Sequence, residues 1–148
     1  MLSYSNGNLF DDSSQAYVNP VNCVGIMGKG IALEFKNRYP KYFNYYVKMC
    51  NEQHLQKAGD AIIYTNSASP KFIISAATKT NWRNRSNVEN INDLLICIKY
   101  IILDFDIESI AMPALGCGEG GLYWTQVQPL IEKNLSNLNC KITVYLPR

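Results

Sequence analysis

Two hydrophobic periods alternate along the chain. Short apolar runs bounded by Gly, Asn, Ser or Pro predict strands at Ala16–Val21, Ala61–Thr65, Phe72–Ala77, Ser109–Met112 and Lys141–Tyr145. Between them the period lengthens to that of a helix. Gly30–Tyr39 sets Ile31, Phe35 and, less well, Tyr39 on one face, and Pro40 is expected to stop that helix. Lys41–Gln53 spaces Tyr42, Tyr45, Tyr46 and Met49 helically. Asn87 opens a third helix with a cap-like Asn-x-x-Asn start, and its stripe is Ile91, Leu94, Leu95, Ile98, Ile101 and Ile102. A fourth helix is expected from about Tyr123 to Leu135, and Gly59-Asp60 and Ser67–Pro70 read as turns. Strands separated by helices predict an α/β/α layered domain with a mostly parallel sheet. In such sheets ligands bind beyond the carboxyl ends of the strands.

Composition narrows the class. The 148 residues suffice for one domain, expected to span residues 1–148, and no repeat or low-complexity linker divides them. With 47% hydrophobic and 18% charged residues the chain is not disordered. No apolar run approaches the length of a membrane span, and the N-terminus lacks a basic cluster followed by an apolar stretch. Fourteen basic and twelve acidic side chains give +2, too balanced for a protein that coats nucleic acid. The five cysteines are odd in number, widely spaced and without a CxxC pair, which argues against a disulfide framework or a structural zinc and for a reducing cytoplasm. The single His54 excludes mechanisms that need two histidines.

Candidate chemistry concentrates in two loops that follow predicted strands. The first is VNPVNCVGIMGKGI, Val18 to Ile31, with Gly25, Gly28 and Gly30 just before a helix whose free N–H groups suit an anion. The second is PALGCGEGGLYW, Pro113 to Trp124, where successive N–H groups can form an anion nest. Two such loops suggest a pyrophosphate held between them; the alternative is a pair of tight turns in an ordinary α/β domain. Neither loop has the Walker GK[ST] ending or a well-formed dinucleotide fingerprint with its acidic ribose partner. No His/Asp/Glu cluster offers metal ligands, so neither a metal nor a cofactor is expected.

These residues resemble a known family. VNPVNCVGIMGKGIALEFKNRYP is similar to the first ligand loop of macrodomains, a VNAAN-type strand end followed by a Gly-rich turn, and PALGCGEGGLYW resembles their second, phosphate-holding loop. YSNGNLF, Tyr4–Phe10, resembles their opening strand and adenine-side turn. MGKGIALEFK and ATKTNWRNRS point to the branch of DNA ADP-ribosyl glycohydrolases, the DarG antitoxins and their relatives among terminal ADP-ribose glycohydrolases. The resemblance covers essentially the whole chain. It implies a three-layer α/β/α macrodomain with a mixed, mostly parallel central sheet, and a cleft for ADP-ribose or an ADP-ribosylated substrate.

The resemblance also implies roles. Asn8 stands where the family usually has an Asp that accepts from the adenine amino group; its carbonyl can accept that bond without the charge, or can simply make a turn. Leu9 would be a neighbouring backbone contact. Asn22 would bond the distal ribose while Asn19 braces the loop, unless both only satisfy buried backbone. Met27, Gly28, Lys29 and Gly30 would pass beside the distal ribose and pyrophosphate. Leu115, Gly116, Cys117, Gly118, Glu119, Gly120, Gly121 and Leu122 would surround the distal phosphate, with Cys117 a small residue rather than a nucleophile.

Lys79 is the candidate catalytic residue. It follows the strand Phe72–Ala77 and opens, after Thr78, an irregular segment to Ser86; in the branch the lysine of this TK-x-x-W segment is the catalytic one. It can act on the anomeric carbon as a neutral nucleophile forming a Schiff-base-type adduct, or as a charged electrostatic or proton-handling group. The first role needs a lowered pKa, for which Arg83 and Arg85 are candidate sources of charge. The alternative is a solvated loop lysine. Relatives commonly read GGLDW where this chain reads GGLYW, so Tyr123 replaces an acid and Glu119 is the nearest substitute. Trp82 with the two arginines can stack an unpaired base and hold phosphates of single-stranded DNA, or pack as a lid.

The expected activity is therefore removal of ADP-ribose from nucleobases in DNA, by a monomer. The alternatives are a non-catalytic ADP-ribose reader, an ADP-ribose 1''-phosphate phosphatase, or a protein de-ADP-ribosylase.

Overall fold

A computed structural model describes residues 1–147. Six strands form one sheet: β1 (Leu2–Ser5), β2 (Ala16–Val21), β3 (Ala61–Thr65), β4 (Phe72–Ala77), β5 (Ser109–Pro113) and β6 (Lys141–Tyr145). Four helices accompany them: α1 (Gly30–Arg38), α2 (Pro40–Asn51), α3 (Val88–Asp104) and α4 (Trp124–Leu135). The strand order is β1-β6-β5-β2-β4-β3. Every pairing is parallel except β3 with β4, the one pair joined by a short turn. A tight turn can only reverse the chain, whereas parallel neighbours need a longer crossover. The sheet is thus mixed and mostly parallel, as expected.

Residue alternation splits the core into two layers. Ala16, Val18, Ile74, Ala76, Ile110 and Met112 pack with the apolar stripes of α3 and α4. Tyr17, Val21, Ile73, Ala77 and Ala111 pack with Phe35, Tyr42 and Tyr46 of α1 and α2. All six residues of β4 are buried because both faces of this inner strand are covered. Each fully buried large side chain is worth about 1.5–3 kcal/mol relative to exposure.

Helix boundaries follow local chemistry. Asn87 caps α3, its Oδ1 accepting from the Asn90 N–H at 2.8 Å; such a cap contributes ~1 kcal/mol. Its stripe is buried as predicted, with Ile101 half-buried at the edge. Pro40 does more than stop α1: it opens α2, at a position where its missing N–H leaves nothing unpaired. The first strand ends at Ser5, and a 3-10 turn at Leu9–Asp11 follows.

Because β1, β2, β4, β5 and β6 run in one direction, their carboxyl ends share an edge of the sheet. Both glycine loops, the Lys79 segment and the chain after Tyr145 leave from that edge. Pairing also continues past the strands: the Thr78 N–H donates to the Val21 carbonyl at 3.1 Å and the Cys23 N–H to that of Thr80 at 2.9 Å. The first loop and the Lys79 segment therefore leave the sheet side by side.

Candidate functional site

A cavity of about 880 Å³ opens at this edge. The first loop and the start of α1 contribute Asn22, Ile26, Gly28, Lys29, Gly30 and Glu34. The second loop contributes Ala114, Gly116, Cys117, Gly118, Glu119 and Gly120. Thr78, Lys79 and Trp82 lie with them, and Gly7, Asn8, Leu9, Phe10, Tyr145 and Leu146 complete the lining. The volume is that of a site for a ligand of nucleotide size. Its lining is mixed, with Leu9 and Phe10 beside Asn22, Lys79 and the two glycine loops.

The first loop is shaped by Asn22. Its Oδ1 accepts from the N–H of Val24 at 3.1 Å and of Ile26 at 3.4 Å, and from the Tyr46 hydroxyl at 2.8 Å; its Nδ2 donates to the Ile26 carbonyl at 2.8 Å. The acceptor side is thus occupied, and the second hydrogen of Nδ2 is what Asn22 can offer a ligand. Asn19 is fully buried beneath the loop, its Nδ2 donating to the Tyr42 hydroxyl at 3.1 Å and to Met27 Sδ at 3.7 Å. Tyr42 in turn shares a 2.6 Å bond with Ser75. Burial pushes the Tyr42 and Tyr46 hydroxyls well above the ordinary phenol range, so both stay protonated in these bonds.

Several residues expected at the ligand stand behind it. Met27 is 2% exposed and faces Asn19 under the loop, because the turn points it into the α1–α2 layer. Leu115 is fully buried in the α3–α4 core. Leu122 packs against that core and closes the second loop through its N–H, which donates to the Gly116 carbonyl at 3.0 Å. Gly121 ends the loop's 3-10 turn at φ +81°. Asn19, Met27, Leu115, Gly121 and Leu122 therefore lie outside the cavity lining. Asn8 does line it, but its Oδ1 already accepts from the Phe10 N–H at 2.9 Å.

The second loop uses the N–H groups of Cys117, Gly121 and Leu122 on its own carbonyls. Its capacity for an anion therefore lies in the 3-10 turn Gly118–Gly120. Burial pushes the Cys117 thiol above its ordinary value, which disfavours the thiolate a nucleophile would need. Cys23 is pushed up to about 12 for the same reason, with smaller contributions from Cys50 and Asp60.

Lys79 is half-buried, and its Nζ donates to the Glu119 carbonyl at 3.0 Å, so the amine reaches across the cavity to the second loop. Among the described residues no carboxylate forms an ion pair with it. Arg83 stacks over Trp82 at 4.8 Å from the ring, and Arg85 lies beside Gly121. Tyr123 is 75% exposed and outside the lining. Several lining residues, Phe10, Ile26 and Glu34 among them, are not candidates legible in the sequence, and neither is Ser86. Its hydroxyl donates to the Thr78 carbonyl at 2.9 Å and its N–H to the Gly120 carbonyl at 3.0 Å, which ties the Lys79 segment to the second loop. Tyr145 and Leu146 were not candidates either; they leave β6 at the same edge and line the cavity, a place the strand-end rule could have indicated.

A three-layer α/β/α domain whose ligand cleft is walled by two glycine loops at the carboxyl edge of its sheet is built as a macrodomain. The Macro domain family model matches residues 18–131, and the chain belongs to that family. It is 42% identical over 129 residues to a DNA ADP-ribosyl glycohydrolase of Mycobacterium tuberculosis, covering 86% of this chain and 37% of that protein. Its fold superposes on the macrodomain of Thermus aquaticus DarG with a TM-score of 0.94 at 38% identity, over 99% of both chains. It also superposes on Thermosipho africanus DarTG in complex with ADP-ribose, with a TM-score of 0.93 at 32% identity over 99% of this chain and 41% of that one. The chain spans about two fifths of the length of the DNA ADP-ribosyl glycohydrolases it matches. Among the described residues no helix is long and apolar enough to cross a membrane, and no group of three or more His, Cys, Asp or Glu is placed to hold a metal ion.

Proposed function

We propose that this macrodomain binds ADP-ribose and hydrolyses its linkage to a nucleobase in DNA, as an antitoxin would. One observation carries the reading: a single cavity holds both glycine loops and the amine of Lys79. The diphosphate would lie between the start of α1 and the turn Gly118–Gly120, where unpaired amides meet anions without a charged side chain. The base would lie toward Leu9, Phe10 and Tyr145, and the distal ribose toward Asn22 and Lys79. In the reaction the bond from the anomeric carbon to the base nitrogen breaks, a water oxygen ends on that carbon, and a water proton ends on the nitrogen. Lys79 serves as the transient nucleophile or as the cation beside the departing base. The similarity to DarG macrodomains supports this choice of reaction.

Trp82, 48% exposed at the cavity and stacked with Arg83, is read as the contact for the DNA strand that carries the modification. A stacking platform of this kind is worth about 1–3 kcal/mol per base. The protein is read as one domain acting as a monomer in a reducing cytoplasm, where its five free cysteines remain thiols.

The test uses one preparation against three substrates: ADP-ribosylated single-stranded DNA, ADP-ribosyl protein linked through acidic side chains, and ADP-ribose 1''-phosphate. Release from DNA alone is expected, at least about a hundredfold slower in Lys79→Ala, with free ADP-ribose still bound. Borohydride trapping of a lysine adduct would assign the nucleophilic role. A second reading is a non-catalytic ADP-ribose reader, favoured by the absence of an ion-paired carboxylate at Lys79 among the described residues. It is upheld if wild type and Lys79→Ala both bind ADP-ribose and neither releases it.

A further inference from the structure

Tyr123 stands just before α4 with its ring in solvent, while its neighbour Trp124 turns inward, edge-on to Tyr4 at 5.8 Å and packed against the α3–α4 core. The Tyr123 N–H donates to Gln126 Oε1 at 2.9 Å, which fixes the backbone beneath the exposed ring. Gly121, the end of the second loop's turn, is two residues earlier. Arg85 lies on that glycine. A Cβ added at 121 would stand 3.5 Å from Arg85 Nη1 and 3.8 Å from its Cδ and Cζ, so the stem and guanidinium cover bare backbone. The next residue, Ser86, is bonded to the carbonyls of Gly120 and Thr78, which holds Arg85 where the Lys79 segment meets the second loop. Three residues before Arg85, Trp82 lines the cavity with Arg83 over its ring.

Single exposed aromatic side chains are ordinary on a protein surface. Here two exposed rings are joined by one strip, Trp82 to Arg85 to Gly121 to Tyr123, which borders the cavity at Trp82 and Gly120. Neither arginine forms an ion pair among the described residues, so their charge is open to an anionic partner. Flat rings separated by a cation match an unpaired nucleic-acid strand, in which every base has a face to stack and a phosphate lies between neighbours. A duplex fits poorly, because its bases are already stacked on one another.

We propose that Tyr123 is a second base-stacking platform, and that the DNA strand carrying the modification runs from Trp82 over Arg85 to Tyr123, with Arg85 holding a backbone phosphate between the two stacked bases. The inference rests on the DNA reading of the cavity and adds to it a path for the strand. The modified base enters at Lys79, and the two rings take unmodified neighbours. The strip therefore acts on ADP-ribose attached to a strand and is indifferent to free ADP-ribose, which stays within the cavity.

The experiment uses Lys79→Ala, which keeps the linkage intact, as the parent. It is titrated with free ADP-ribose and with a single-stranded oligonucleotide of about ten nucleotides carrying ADP-ribose on a central base. The oligonucleotide is expected to bind about tenfold more tightly than free ADP-ribose. Tyr123→Ala or Arg85→Gln in that background should weaken the oligonucleotide about fivefold and leave free ADP-ribose within about twofold. Tyr123→Phe, which keeps the ring, should bind the oligonucleotide as the parent does. Arg85→Gln should also lower the slope of log affinity against log salt by about 0.7, the loss of one phosphate contact on a single strand, while Tyr123→Ala leaves the slope unchanged. Thermal melts establish that each variant is folded. Unchanged oligonucleotide affinity in both folded variants overturns this inference and leaves the ADP-ribose reading standing. An equal loss for free ADP-ribose overturns it too, since the two side chains would then only support the loop. So does an equal dependence on both residues for an ADP-ribosyl peptide, which would give the strip to a polypeptide. No binding of free ADP-ribose to wild type overturns both readings.

Discussion

Lys79 and Glu119, forty positions apart, meet through the main chain of one and the side chain of the other: Nζ donates to the Glu119 carbonyl at 3.0 Å. The contact depends on the path of the second loop, and the side chain at 119 takes no part in it. Glu119→Gln is therefore expected to leave the rate of ADP-ribose release within about threefold of wild type, as for other surface changes. Single-turnover assays on modified DNA measure this. A fall beyond about thirtyfold would assign the Glu119 carboxylate the acid role that Tyr123 cannot fill.

Ser86 joins the segment before Lys79 to the loop that receives its amine. Ser86→Ala leaves the Thr78 carbonyl without this donor, at a cost of about 1–3 kcal/mol. The expected result is a melting temperature lower by several degrees and a reduced kcat with KM little changed, since the loops that hold the nucleotide persist. Gly120→Ala should behave similarly, because an added Cβ would stand 2.6 Å from the Ser86 hydroxyl. Melting curves and steady-state kinetics on the same preparations check both.

Gly116 is closely packed at the start of the second loop. It sits at φ +82°, and an added Cβ would come within 2.9 Å of Leu122 Cδ1 and 3.0 Å of Ile91 Cδ1. Gly116→Ala combines overpacking of about 1–3 kcal/mol with left-handed backbone strain of roughly 1 kcal/mol. Urea unfolding should show a lower midpoint at unchanged slope. ADP-ribose affinity should fall as well, because the Leu122-to-Gly116 closure shapes the turn that meets the phosphate.

Asp12 makes stability depend on acid. Burial works to raise its carboxyl, but hydrogen bonds from Ser14 and from the Tyr145 hydroxyl prevail and hold it below the ordinary value. A group with a depressed folded pKa stabilises fully above its unfolded pKa, near 3.9, and loses that contribution as pH falls through the folded value. Wild type should therefore melt higher than Asp12→Asn at pH 7. The gap should begin to close below about pH 4 and shrink further toward pH 2. A gap of constant size across that range would show that the Asp12 charge contributes nothing to folding.

Much of this was legible along the chain. The apolar runs Ala16–Val21 and Phe72–Ala77, the stripe from Ile91 to Ile102 and the Asn87 cap are local patterns, and each becomes the predicted element. Lys79 was located at the cavity by the strand that ends two residues before it. Met27 and Leu115 lie outside the cavity lining. In a loop no period tells which side chains turn inward, and both point into a core layer. Ser86 gave no local signal, because its two partners lie in separate segments.

By itself the amino-acid order determined the elements, the layered class of the fold and the two glycine turns, since these depend on short-range periodicity and on backbone freedom at single residues. Tertiary structure alone decided that Asn22 turns its acceptor inward to Tyr46 and that the Lys79 amine lands on a carbonyl of the opposite loop. Those outcomes are set by how two helical layers close on one sheet, which brings together groups that no neighbouring residue connects.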